Sequence, residues 1–191
     1  MAGLCLAACA QQSATPVKSI VLADGAITAN APAGYCVDAS SSNADRGFAV
    51  MASCASLGND DAAPDVLGVA TVQVGPVDSR AVTGAETALV SLLETDTGAT
   101  LLSAKGNSDN INVIETDTDE NTVTVHFSDE GTPPISGLGN DEWRAFTDIN
   151  GRLVTVSVRG IAAAPLPDGT GSWLLNLVVT GLLGSAETPD T

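Results

Sequence analysis

Alternation of apolar and polar side chains with a period of two is the dominant signal of this chain. Val123, Val125 and Phe127 alternate with Thr122, Thr124 and His126, and Val154, Val156 and Val158 alternate with Thr155, Ser157 and Arg159. Each pattern predicts a half-buried strand. Asn112 to Glu115 and Glu142 to Asp148 are read as further strands, the first forming a hairpin with 122–127. Asn150-Gly151 between two such runs is a strong hairpin-turn dipeptide, so the second half of the sheet reads as a meander. Upstream, Ser19 to Leu22 and Ala26 to Ala29 flank Asp24-Gly25, a second hairpin signal. Residues 48–54 and 67–74 are apolar on both faces, as expected of internal strands.

Two stretches follow the helical period instead. Thr83-Gly84-Ala85-Glu86 has the form of a capping box, in which Thr83 and Glu86 each serve the other's amide. Ala85, Leu89, Leu92 and Leu93 form the stripe of a helix over 83–96 that ends near Thr97-Gly98, leaving Leu101 and Leu102 as a turn or short strand. Trp173 to Leu183 is apolar almost all round, which predicts a buried helix over 172–184, too short to span a bilayer. Its β-branched Val178, Val179 and Thr180 keep a strand open. The expected fold is therefore α+β: an antiparallel sheet of about six to eight strands packed with two helices in a single-domain sandwich. That order of elements resembles the PsbP/Mog1-like layout, whose members are mostly accessory or binding proteins.

Composition narrows the function classes. The chain has 191 residues, enough for one core and short for two domains. With 7 Lys plus Arg against 23 Asp plus Glu, its net charge is −16. A surface of that sign excludes nucleic acid and electrostatic docking on anionic lipid. Aromatic residues make up 3%, so the core must be aliphatic.

Leu6-Ala7-Ala8-Cys9 resembles the lipobox of bacterial lipoproteins. The resemblance implies cleavage before Cys9, lipidation of Cys9 and a signal-peptide remnant over 1–8. Ala10 after the cysteine implies the outer membrane, and a protein partner in the envelope. No basic segment precedes the box and the apolar run before Cys9 is eight residues, so a start upstream of Met1 is expected. Residues 9–18 then form a small, polar tether, 19–185 the domain and 186–191 a tail. With Cys5 cleaved away and Cys9 lipidated, Cys36 and Cys54 are an even pair in an oxidising compartment, read as a disulfide. The alternative is two buried thiols.

Nothing in the chain has the spacing of a catalytic or metal motif. No catalytic residue, metal ligand set or cofactor is therefore assigned. His126 is the sole histidine, and an envelope hydrolase would need it with Ser128, Asp129 or Glu130. Asp117-Thr118-Asp119-Glu120-Asn121 opens like a calcium loop, but Thr122 stands where glycine is required and Ser128 where a bidentate glutamate is, so the segment is read as a polar hairpin tip. Asp60, Asp61 and Asp65 have the same status, so an acidic calcium-responsive module is a further alternative. Glu142 and Arg144 are read as a surface ion pair, and with Arg152 they flank the 150–151 turn, where an anion could sit. Trp143 and Trp173 are expected to pack together in the core, with a groove as the alternative. The candidates for ligand contact are His126, Arg144, Arg152 and Trp143, and the favoured reading is a binding or structural protein of the envelope.

Overall fold

The computed structural model describes residues 16–59 and 63–183. Cys5, Cys9, Asp60, Asp61, nearly all of the tether and the tail lie outside the described residues, whereas Asp65 is exposed. The strands are β1 (Ser19–Leu22), β2 (Ile27–Asn30), β3 (Tyr35–Val37), β4 (Phe48–Ser53), β5 (Gly68–Val74), β6 (Ile111–Asp119), β7 (Thr122–Asp129), β8 (Leu138–Ile149) and β9 (Arg152–Ile161). The helices are α1 (Glu86–Leu93), α2 (Asp96–Leu102) and α3 (Thr170–Leu183). Seven strands form one sheet in the order β3-β4-β5-β9-β8-β7-β6, with every neighbouring pair antiparallel. β1 and β2 pair separately.

Strand alternation divides the apolar residues between two cores. Val154, Val156 and Val158 of β9, Ala145 of β8 and Val72 of β5 point to one face. There they meet Leu174, Leu175 and Val178 of α3 and Leu22, Ile27 and Ala29 of the small hairpin. Val123, Val125 and Phe127 of β7 point to the other face, against Leu93 of α1 and Leu102 of α2. The sheet thus has helices on both sides, and α3 is a helix with no strand character. Among the described residues no helix is long and apolar enough to cross a membrane.

Where the expected single helix 83–96 lay, the chain makes two. α1 stops at Leu93, and Thr95 restarts the helix by accepting a hydrogen bond from the Gly98 N–H through its hydroxyl oxygen. Gly98 is inside α2, not beyond a helix end, and the position needs glycine because a Cβ there would lie 2.1 Å from the Leu92 carbonyl oxygen. Leu102 is thereby buried as a helical residue. The capping box is half made: Glu86 accepts from the Gly84 N–H, but Ala85 is the N-cap residue and Thr83 caps nothing. Asp148 of β8 instead clamps the segment that leads into the helix, accepting from the N–H groups of Ala81, Val82 and Thr83 at 3.0, 2.8 and 2.7 Å. The β1–β2 connection is also longer than a two-residue turn, since Leu22 pairs with Ile27 and Ala23, Asp24 and Gly25 all have positive φ.

Cys36 and Cys54 form a disulfide with a Cα–Cα distance of 4.9 Å. It joins edge strand β3 to the residue just after β4.

Candidate functional site

β7 carries His126 among its polar residues, and alternation turns it toward the α3 face of the sheet. Register then sets Trp143 of β8 directly opposite on one side and Glu115 of β6 on the other. The imidazole and indole stack, with ring centroids 4.2 Å apart and planes inclined by 11°. An aromatic pair this close favours such parallel contact when the rings are offset. His126 Nε2 is shielded from solvent and lacks a hydrogen-bond partner in the structure, the Asp141 Oδ1 atom being 4.0 Å away. A buried polar atom without a protein partner is uncommon and is ordinarily satisfied by water, a ligand or a small rearrangement.

The stack forms the floor of a cavity of about 520 Å³ between α3 and the β6–β7 end of the sheet. One wall is α3, contributing Ser172, Asn176 and Thr180. The opposite rim is β6, where Glu115, Asp117 and Asp119 follow one another at alternate positions on the same face. Carboxylates on one rim, amide and hydroxyl groups on the other and an aromatic floor make a site for a cation with some apolar surface. α3 can lie so close because its second residue is Gly171: a Cβ there would be 2.2 to 2.4 Å from the Trp143 ring atoms.

No protein-family model matches this chain, and no curated protein sequence matches it. Solved structures similar to it include the Saccharomyces cerevisiae Ran-binding protein Mog1p, at 15% identity and a TM-score of 0.44, covering 86% of this chain and 85% of that one. The PsbP protein of the cyanobacterium Synechocystis is similar at 14% identity and a TM-score of 0.43, covering 92% and 96%.

Of the four residues singled out for ligand contact, the structure brings His126 and Trp143 together and separates the other two. Arg144 faces the opposite side of the sheet, stacked over Phe127 at 5.1 Å. Its pair with Glu142 is no surface ion pair. Register places Arg159 directly across from Glu142, and the carboxylate, 2% exposed, is shared by Arg144 and Arg159 at 2.6 and 2.5 Å. Arg152, at the far end of β9, donates to the Gly75 carbonyl oxygen at 2.9 Å, so the two arginines form no common anion site. Trp173 is half exposed on α3 and does not share the core with Trp143, whose seat is filled by Gly171 and His126.

The alternatives fare differently. Asp129 is buried on the face away from His126, and its carboxylate accepts from Ala104 and Gly131 N–H groups. Glu130 holds Asn140. The hydrolase reading thus loses Asp129, and the acid nearest the imidazole is Asp141. The calcium-like segment is a strand end and a two-residue turn, in which Asp117 and Asp119 each accept from the next residue's N–H. Among the described residues no group of three or more His, Cys, Asp or Glu side chains could hold a metal ion.

Proposed function

We propose that this protein is a lipid-anchored binding protein of a bacterial envelope, held through Cys9 on the periplasmic side of the outer membrane, and that it takes a cationic ligand in the groove beneath α3. The observation that carries the binding reading is the orphaned His126 Nε2 on a stacked aromatic floor, beside a row of carboxylates. The lipobox Leu6-Ala7-Ala8-Cys9 supports the anchor, and the Cys36–Cys54 bond is of the kind that persists in an oxidising compartment.

Spermidine is a suitable first probe, followed by calorimetry and by Trp143 fluorescence in a Trp173→Phe background. Binding should weaken with salt, as a contact between exposed charges must. It should also weaken in Glu115→Gln/Asp117→Asn/Asp119→Asn and in His126→Ala. Equal heats for the parent and the triple variant would refute the groove as the site. Hydrolysis of an ester panel, lost in His126→Ala, would restore the hydrolase reading. For the anchor, the intact mass of protein from the host membrane fraction should show diacylglyceryl on Cys9; a soluble chain retaining Met1 would refute it.

A further inference from the structure

The acidic rim of the groove is also the free edge of the sheet. Among the described residues, β6 has β7 on one side and no strand on the other. The turn after it contains only Glu120 and Asn121, so Asp119 and Thr122 close the hairpin as a pair. In a two-residue hairpin the pair flanking the turn is hydrogen-bonded, and the pattern alternates from there. Asp119, Asp117 and Glu115 therefore direct their backbone groups to β7, and Thr118 and Thr116 direct theirs outward. One local contact agrees: the Thr118 N–H is taken by the Asp117 carboxylate at 2.8 Å, a side-chain contact of the kind made when a ladder partner is lacking.

We infer that the ligand is an extended basic segment of a partner protein, which adds to β6 as an eighth strand with alternate Lys or Arg side chains in the groove. This rests on the groove reading above. The repeat of Glu115, Asp117 and Asp119 is that of an extended chain, about 6.8 Å per two residues. On the outer side these three occupy non-hydrogen-bonded positions, where opposed side chains approach most closely. Every second residue of an added strand would thus meet a carboxylate, while the residues between would bond the backbones of Thr116 and Thr118. A strand entering this way displaces the Asp117 carboxylate from the Thr118 N–H and frees it for a cation. The bulge between Val113 and Glu115 ends the regular edge, which fixes the length of the docked segment at about five residues.

The test uses an acetylated, amidated peptide of alternating Lys and Thr, and the same peptide N-methylated at each Thr. Strand addition predicts slowed hydrogen exchange at the Thr116 and Thr118 amides, and at least ten-fold weaker binding of the N-methylated peptide. Each of Glu115→Gln, Asp117→Asn and Asp119→Asn should lower affinity about two- to five-fold, the range of a cross-strand charge pair. If both peptides bind equally and those amides stay unprotected, strand addition is wrong and the groove reading survives. If neither the peptides nor spermidine binds, both fail, and the acidic row protects the edge against self-association.

Discussion

Gly171→Ala sets two effects of known sign against each other. Glycine in a helix is less favourable than alanine by about 0.5–1 kcal/mol, so propensity alone predicts a more stable protein. The added methyl, however, would sit 2.2 Å from Trp143 Cδ2, against an ordinary carbon–carbon contact of about 3.5–4.0 Å. α3 or the indole must move by more than 1 Å, and although the indole borders the groove on one side, it is 9% exposed and packed in the main core, so moving it breaks core contacts. Overpacking of this kind costs about 1–3 kcal/mol, so the net loss should be about 1–2 kcal/mol. For a domain of this size that lowers Tm by about 3–6 °C. Asn176→Ala, an exposed α3 position, is the propensity control and should be neutral or slightly stabilising. The His126 ring protons report the site directly, because a stacked indole shifts them upfield and a displaced one does not. A rise in Tm for Gly171→Ala, with the His126 shifts unchanged, would refute the packing of α3 on Trp143.

Three further outcomes follow from single features. Replacing Cys36 and Cys54 by alanine removes a loop closure spanning 18 residues, which should cost roughly 3 kcal/mol and appear as a lower urea midpoint; an unchanged midpoint would refute it. Glu142→Gln leaves Arg144 and Arg159 facing each other without their shared charge and should cost about 3 kcal/mol or more, as for a broken buried pair; a loss under about 1 kcal/mol would mean the triad behaves as a surface pair. For Asp148, burial alone would raise the carboxyl pKa, but the three N–H donors outweigh it and hold it below its ordinary value; Asp38 is lowered likewise by Ser40 and Ser41. Their stabilisation is present above the unfolded pKa of about 4 and is lost as pH falls through the lower folded values. Urea midpoints measured between pH 5 and pH 2.5 should therefore fall less steeply for Asp148→Asn than for the parent, and parallel profiles would refute the clamp.

The fold was legible wherever one residue's environment is set by its near neighbours. Val123, Val125 and Phe127, or Val154, Val156 and Val158, can satisfy a half-buried surface only as strands, and Asn150-Gly151 supplies the positive φ that the β8–β9 turn needs. The errors fall where a contact outside the repeating pattern intervenes. Gly98 reads as a helix stop until Leu92 is seen pressed against it, and Thr83 reads as a cap until Asp148 arrives from β8. Glu142 and Arg144 read as a surface pair because Arg159, 17 residues away in sequence, is invisible to any local window. The site follows the same rule. His126 and Trp143 were both singled out, one as the sole histidine and the other as a scarce aromatic, but their contact is decided by β7–β8 register. Asp117 and Asp119 belong to the hairpin tip that their composition suggests, but nothing in the local pattern shows that α3 lies across from them.

That dependence on register makes the groove and the core one problem, and the coupling can be measured. Trp143 contacts His126 on one side and the backbone of Gly171 on the other, so the imidazole keeps its orientation only while α3 stays seated. If so, Gly171→Ala and His126→Ala cannot be independent. Once α3 has displaced the indole, most of what the stack contributes is already gone, and removing the imidazole costs little more. A double-mutant cycle should then give a coupling energy of about 0.5–1.5 kcal/mol, the range of an aromatic pair, with the double variant more stable than the sum of the single losses predicts. Additivity within about 0.3 kcal/mol would mean that the stack survives displacement of the helix and that α3 is a lid over the groove with no part in shaping its floor. The same cycle read by spermidine affinity separates the two cases for binding. A floor shaped by α3 predicts that Gly171→Ala weakens the ligand even though residue 171 lies outside the groove lining.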